Sequence, residues 1–149
     1  MSKDTCIVWF RRDLRLHDNP AWNAATNSGC AIIPLFIHSP NEDGKWRRGA
    51  ASNWWLHHAL KDLSTQLETH GLSLILRSSV SSLSELTALT LESPVKAVYW
   101  NRCYEEQSIN RDTLIKKALA ADAIEVKTFN GSLLFDPLKI ANKSGLPYK

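Results

Sequence analysis

Five short apolar runs alternate with four amphipathic segments along the chain. The runs predict five strands, and the spacing of Leu56, Leu60, Leu63 and Leu67 in one of the segments predicts a helix with a single apolar face. Alternation of this kind is typical of a doubly wound α/β domain, in which a five-stranded parallel sheet carries helices on both faces. The predicted strands are 6–10, 31–37, 72–76, 97–101 and 124–129.

Capping residues predict where the helices begin. Asn19, followed by a proline, suits the start of the first helix, because its side chain can accept from an unpaired N–H and proline needs no donor at the first helical position. The expected caps of the next three helices are serines, one of which forms a capping box with Glu85. These serines are Ser52, Ser82 and Ser108.

The alternating pattern stops at Asn130. Residues 131–149 contain glycine, proline and asparagine but no helical stripe, as in a linker or a docking segment. We therefore expect a domain over residues 1–130 and the start of an interdomain linker over 131–149.

Composition narrows the class of protein. The 149 residues are enough for one domain with its own core, and 44% hydrophobic with 22% charged residues argues against disorder. No apolar run reaches the ~18 residues of a membrane span, and the N-terminus has no secretory apolar region. Three widely spaced cysteines predict reduced thiols in a cytoplasmic protein. A net charge of +3 does not by itself argue for nucleic-acid binding.

Charged residues gather where the first strand ends. Arg11, Arg12 and Arg15 lie there beside Asp13 and Asp18. One interpretation is structural, with the arginines paired to these carboxylates and to helix-end carbonyls. The other is an anionic ligand or partner bound near a helix N-terminus. The sequence alone leaves both interpretations open.

A second candidate binding element is the long polar loop from His38 to Gly49, which carries Lys45, Trp46, Arg47 and Arg48. No catalytic motif accompanies it: nucleophile elbow, phosphate-binding loop, dinucleotide fingerprint and zinc motifs are all missing. His57 and His58 are adjacent, so they point to different faces of a helix and are poor joint metal ligands. We predict neither a catalytic nor a metal-binding residue.

Several motifs resemble those of the DNA photolyase and cryptochrome family. They recur in the family's order over nearly the whole chain, from WFRRDLRLHDNP near the start to FNGSLL near the end. The matching segments are 9–20, 51–56, 99–102 with Tyr104 and Glu105, Arg111 with Asp112, and 129–134.

This resemblance implies the N-terminal α/β domain of such a protein, with strand order 3-2-1-4-5 and a bound antenna pigment. The pigment would be methenyltetrahydrofolate, 8-hydroxy-deazaflavin or FMN. A helical domain that binds FAD, lying outside this chain, would use the transferred energy to split cyclobutane pyrimidine dimers in ultraviolet-damaged DNA. We expect a monomer whose α/β domain packs on that helical domain. The alternatives are a cryptochrome, which signals blue light without repair, and a free-standing nucleotide-binding module.

With that strand order, the crevice between strands one and four becomes the expected pigment site. One departure from the family concerns this crevice: Gln107 and Ser108 stand where folate-binding relatives of the enteric type have an Asn-Glu pair that contacts the pterin. Glu42, Arg47 and Arg48 are an alternative set of contacts. The predicted pigment-binding residues are Phe10, Arg11, Arg12, His38, Trp46, Arg48, Asn101, Arg102, Tyr104 and Glu105.

Overall fold

The computed structural model describes residues 4–136, 140–142 and 144–145, and its centre is a parallel five-stranded sheet. The strand order is β3-β2-β1-β4-β5, and every neighbouring pair is parallel. The predicted fold class and strand order are therefore confirmed. The strands are β1 Thr5–Phe10, β2 Ala31–His38, β3 Ile75–Ser78, β4 Val95–Asn101 and β5 Glu125–Phe129.

Helices connect the strands and cover both faces of the sheet. The helices α1 and α2 share a core with one face, and α3 and α4 share a core with the other. A 3-10 segment, Pro40–Trp46, follows β2 and continues through Arg48 towards α2. We call residues 40–48 the wall segment. The helices are α1 Pro20–Asn27, α2 Ala50–Thr69, α3 Ser82–Glu92 and α4 Glu106–Ala121.

The central strand β1 shows why the strands look like continuous apolar runs. Cys6, Val8 and Phe10 enter the core under α1 and α2, whereas Ile7 and Trp9 enter the core under α3 and α4. Both faces are buried, so no polar alternation is possible. The helices complete the two cores with Ala21, Trp22, Leu63 and Leu67 on the first face and Leu86, Leu89, Ile115 and Leu119 on the second.

The helix starts agree only in part with the prediction. Asn19 caps α1 as expected, and its Oδ1 accepts from the Trp22 N–H at 3.1 Å. Ser52 is not a cap, because α2 already begins at Ala50 with Gly49 in the capping position. Serine suits both a cap and the first helical turn, so the residue type does not distinguish between the two.

The caps of α3 and α4 also differ from the prediction. Ser81, one residue earlier than expected, caps α3 by accepting from the Ser84 N–H at 3.5 Å, and Ser82 is the first helical residue. Helix α4 begins at Glu106, so Ser108 lies inside its first turn and is buried. At α3 the N–H and hydroxyl of Ser82 bond to Glu42 of the segment after β2, so its side chain does not cap the helix.

Strand β3 begins at Ile75 instead of Leu72. Residues 72–74 form an irregular connection after α2, and the Leu72 N–H bonds to the Leu67 carbonyl at 3.0 Å. Pairing with β2 starts only at Leu35 and Ile75. The described residues after Asn130 contain no helix or strand, and the expected linker over 131–149 stays a prediction. None of the described helices is long and apolar enough to cross a membrane.

Candidate ligand-binding site

A cavity of about 450 Å³ lies at the carboxyl edge of the sheet. The ends of β1 and β2 form its floor, and the wall segment and the first turns of α3 and α4 form its sides. Ligands of open α/β sheets bind at this edge. We call this space the main cavity, and its lining includes Trp9, His38, Asp43, Arg47, Arg48 and Cys103.

Arg11 lines this cavity, but its guanidinium is bound within the fold. Its Nη1 donates to Asp112 Oδ1 at 2.7 Å and Oδ2 at 2.9 Å, and its Nη2 donates to the Asn101 carbonyl. The guanidinium carbon is 4.7 Å from the centre of the Trp9 ring, and the Trp100 indole N–H also donates to Asp112, at 3.2 Å. The residue is 7% exposed. Here the structural interpretation of the first-strand arginines applies.

Asn101 is likewise bound within the fold, because it holds the turn between β1 and α1. Its Nδ2 donates to Asp13 Oδ2 at 2.6 Å and to Asn19 Oδ1 at 2.7 Å, while its Oδ1 accepts from the Ala21 N–H at 3.2 Å. Gly131 packs so closely that a Cβ there would lie 2.6 Å from Asn101 Cγ. The amide therefore joins three segments at the end of β4.

The loop after β4 lines a separate, small cavity of about 300 Å³. Arg12 forms an exposed ion pair with Glu105, and Arg102 Nη2 donates to Asp136 at 2.6 Å. The hydroxyl of Tyr104 is buried and has no hydrogen-bond partner among the described residues. Four predicted residues, Asn101, Arg102, Tyr104 and Glu105, thus lie around the small cavity and outside the main one.

The remaining predicted residues separate into three groups. Arg11, Arg12, His38 and Arg48 line the main cavity. Trp46 is 74% exposed and lines an adjoining space of about 820 Å³, the open cavity. Phe10 is 1% exposed and packs in the α1/α2 core, and it borders none of these three cavities.

Trp9 is the main residue that the sequence did not single out. It is 2% exposed and lines the main cavity, yet its indole N–H has no hydrogen-bond partner among the described residues. A buried N–H without an acceptor is costly, so a ligand acceptor there would be favourable. Strand alternation places Trp9 in the α3/α4 core, and the sequence gives no sign that the residue also borders a cavity.

Some of the charged side chains that line the main cavity have no counter-ion among the described residues. Arg47 and Arg48 line it, and among the described residues their guanidinium groups form no ion pair. Asp43 lines the same space and likewise has no ion-pair partner there. An anionic ligand with an aromatic ring and an acceptor group would satisfy Trp9 and both arginines.

The thiol of Cys103 also lines the main cavity, and burial raises its pKa above the ordinary value of 9.0. The thiol is therefore protonated at neutral pH, and a protonated thiol is a poor nucleophile.

In the part of the chain that the structure describes, no group of three His, Cys, Asp or Glu side chains is placed to hold a metal ion.

Comparison with known proteins identifies the family. The family model for DNA photolyase matches residues 6–149. A deoxyribodipyrimidine photo-lyase of Agrobacterium fabrum is 41% identical over 96% of this chain and 29% of its own length, and Cryptochrome-1 of Arabidopsis thaliana is 37% identical over 95% and 21%. The chain belongs to the DNA photolyase family, as its motifs suggested.

Solved structures agree with this assignment. A bacterial class III photolyase from Agrobacterium tumefaciens superposes with a TM-score of 0.88 at 38% identity, over 99% of this chain and 30% of that one. An archaeal photolyase from Sulfolobus tokodaii gives a TM-score of 0.80 at 28% identity, over 93% and 32%. The chain has the α/β fold of the N-terminal domain of photolyases, and it spans between 21% and 32% of these four relatives.

Proposed function

We propose that this chain is the light-harvesting domain of a deoxyribodipyrimidine photo-lyase and that the main cavity binds its antenna pigment. The observation that carries the proposal is the main cavity at the carboxyl edge of the sheet, which is lined by Trp9 and by the unpaired Arg47 and Arg48. The Trp9 indole N–H is buried and has no acceptor among the described residues. In the longer protein, FAD bound to a helical domain would receive the excitation energy and supply the electron that splits cyclobutane pyrimidine dimers in DNA.

An antenna domain has to hold its pigment at a fixed distance and orientation from the acceptor. It needs no acid, base or nucleophile, which agrees with the protonated Cys103 thiol in the cavity. Trp9 would donate to an acceptor on the pigment ring, and Arg47 and Arg48 would bind its carboxylates or phosphate. Trp46 in the open cavity, next to Arg48, offers a stacking surface for a part of the pigment that extends outwards.

The three candidate pigments make different demands on these residues. Glu42 does not supply a free acidic contact, because both of its oxygens already accept from Ser82. Asp43 is unpaired and remains available for a hydrogen-bond-donating ring edge, as in methenyltetrahydrofolate. The Sulfolobus structure is described as containing two FAD molecules and implying a novel light-harvesting cofactor, so a flavin also stays a candidate alongside 8-hydroxy-deazaflavin.

An absorption titration of the chain with methenyltetrahydrofolate, 8-hydroxy-deazaflavin, FMN and FAD in turn tests the proposal. We expect saturable binding of one pigment with a shifted absorption band. Trp9→Phe keeps an aromatic side chain and removes the N–H together with the five-membered ring, so it should weaken that binding about tenfold, whereas the exposed Lys116→Ala should not change it. If none of the pigments binds, or if Trp9→Phe binds as tightly as the wild type, the assignment of this cavity fails.

A cryptochrome is the second candidate, favoured by the 37% identity to Cryptochrome-1 over 95% of the chain. The antenna role proposed here is common to both candidates, and they differ in what the longer protein does with the excitation. A dimer-repair assay on the full-length protein under blue light separates them. Repair supports the photo-lyase, and light-dependent flavin reduction without repair supports the cryptochrome.

The free-standing module is the weakest candidate, because apolar side chains on two surfaces of the domain are bare. Trp54 is 61% exposed and Trp55 71% on α2, and Leu134 is 91% exposed after the last strand. Large exposed apolar groups in proximity typically mark an interaction surface. They support a role for the chain as part of a larger assembly, with the helical domain as the proposed partner. The expected monomeric state and cytoplasmic location stay predictions.

A further inference from the structure

The wall segment borders the main cavity and the open cavity but has little packing of its own. None of its residues in Pro40–Trp46 is buried. The segment nevertheless carries Asp43, Arg47 and Arg48, the unpaired charged groups of the main cavity. A binding wall without apolar anchors needs some other contact to keep these groups in place.

Glu42 provides that contact. Its Oε1 accepts from the Ser82 N–H at 2.6 Å, and its Oε2 accepts from the Ser82 hydroxyl at 2.6 Å. The first N–H groups of a helix have no partner within the helix, so this carboxylate from a distant segment satisfies the start of α3. Among the described residues of Pro40–Trp46, Glu42 is the only one whose side chain forms a hydrogen bond to another element.

The contact extends from α3 into the centre of the domain. Arg111 Nη1 lies 3.5 Å from Glu42 Oε2, and Arg111 Nη2 donates to Asp112 Oδ1 at 3.2 Å. Asp112 in turn binds the buried Arg11 at the end of β1. The Arg111 guanidinium also lies 5.3 Å from the centre of the Trp9 ring. A continuous series of charged hydrogen bonds therefore joins the wall segment to the floor of the cavity.

We propose that Glu42 is a positioning residue that fixes the wall segment against α3 and α4, so that Asp43, Arg47 and Arg48 are held at the cavity before a ligand arrives. That the ligand is an antenna pigment rests on the proposed function, whereas the anchoring itself does not. A preorganised wall raises affinity, because the ordering of the segment is completed before binding.

Limited trypsin digestion of the ligand-free chain tests the anchoring directly. Lys45, Arg47 and Arg48 are trypsin sites inside the wall segment. We expect Glu42→Ala to raise the rate of cleavage at these three sites about tenfold, with the rate at sites outside the segment unchanged. Glu68→Ala, which removes an exposed carboxylate from α2, is the matched control and should leave every rate unchanged.

Two further variants make the result decisive. Ser82→Ala removes one of the two bonds to Glu42 and keeps the N–H, so it should raise wall cleavage about threefold. It replaces Glu42→Ala as the test if that variant does not fold. Glu42→Gln keeps one acceptor oxygen and should give an intermediate rate. Unchanged cleavage at the wall, or an equal increase over the whole chain, overturns the proposal.

The same variants separate this inference from the pigment assignment. If a pigment binds the wild type, Glu42→Ala should weaken it about tenfold and leave the absorption band of the saturated complex unchanged. If no pigment binds, the antenna function fails, and the digestion still decides whether Glu42 anchors the wall. Faster wall cleavage combined with unchanged pigment affinity overturns the positioning role.

Discussion

Arg11 and Arg48 lie at the same edge of the sheet and have opposite roles. Arg11 is 7% exposed and neutralised by Asp112, whereas Arg48 lines two cavities and has no ion-pair partner among the described residues. A buried arginine with a well-placed counter-ion contributes to the stability of the fold. Removing either partner leaves the other charge buried without a counter-ion and without water to solvate it. An unpaired arginine at a cavity remains free to meet a ligand.

The contrast extends to the regions around the two residues. The ends of β1 and β4 form a buried network of charged and amide groups, with Asn101 and Asp112 at its centre. The wall segment has no buried residue between Pro40 and Trp46 and is anchored through Glu42. Substitutions in the first region should therefore affect stability, and substitutions in the second should affect binding.

The largest expected effect is that of Asp112→Ala. This change leaves the guanidinium of Arg11 buried without its counter-ion, which should cost about 3–5 kcal/mol in the free energy of unfolding. Urea unfolding measures it. Glu105→Ala, which breaks the exposed pair with Arg12, is the control and should cost only about 0–1 kcal/mol. A loss below about 1 kcal/mol for Asp112→Ala would show that the Arg11 guanidinium can reach water. The proposed difference in role between Arg11 and Arg48 would then be wrong.

Gly131→Ala tests how tightly the turn around Asn101 is packed. The new methyl group would lie 2.6 Å from Asn101 Cγ, so the amide must shift away from Asp13 and Asn19. Overpacking of this kind should cost about 1–3 kcal/mol in the free energy of unfolding. The neighbouring, exposed Ser132→Ala should be nearly neutral, and equal stability of the two variants would contradict the close packing.

Arg48→Ala tests whether an unpaired arginine at the main cavity serves ligand binding. We expect the pigment affinity to fall about tenfold, since one charged hydrogen bond is worth about 1.5 kcal/mol, and the free energy of unfolding to change by less than about 0.5 kcal/mol. Lys116→Ala removes the same charge from an exposed part of α4 and should leave affinity unchanged. Arg12→Ala should weaken binding less, because Glu105 already pairs with it. A large loss of stability in Arg48→Ala would show that Arg48, like Arg11, serves the fold and not ligand binding.

The smallest effect concerns the buried thiol of Cys6. Burial raises the pKa of the Cys6 thiol from 9.0 to about 11. The folded chain then keeps a proton that the unfolded chain loses, so stability should fall as the pH rises from about 9 to about 11 and should not depend on this thiol below that range. Unfolding midpoints at pH 8 and pH 10.5 should differ more for the wild type than for Cys6→Ala. Equal differences would mean that the thiol titrates normally.

The sequence by itself determined the fold class, the five strands and the family. Apolar runs and helical stripes are local patterns that can be recognised in the sequence. The strands form continuous apolar runs because helices cover both faces of the sheet. The Asn19 cap was predictable for the same reason, since its hydrogen bond to Trp22 joins residues only three apart. The caps at Ser52, Ser82 and Ser108 were wrong because serine is compatible with both the cap and the first helical turn, and the helices begin one to three residues earlier, with Gly49, Ser81 and Glu105 as the caps.

Only the tertiary structure decided which polar residues belong to the fold and which face the cavity. Arg11 and Asp112 are 101 residues apart, and Glu42 and Ser82 are 40 apart, so no local pattern reveals either contact. The sequence predicted that Trp9 packs in the core, and its ring does so. That its indole N–H has no acceptor becomes apparent only when the positions of the surrounding groups are known. Hydrogen bonds and ion pairs between distant segments depend on how the chain is brought together, and periodicity carries no information about them.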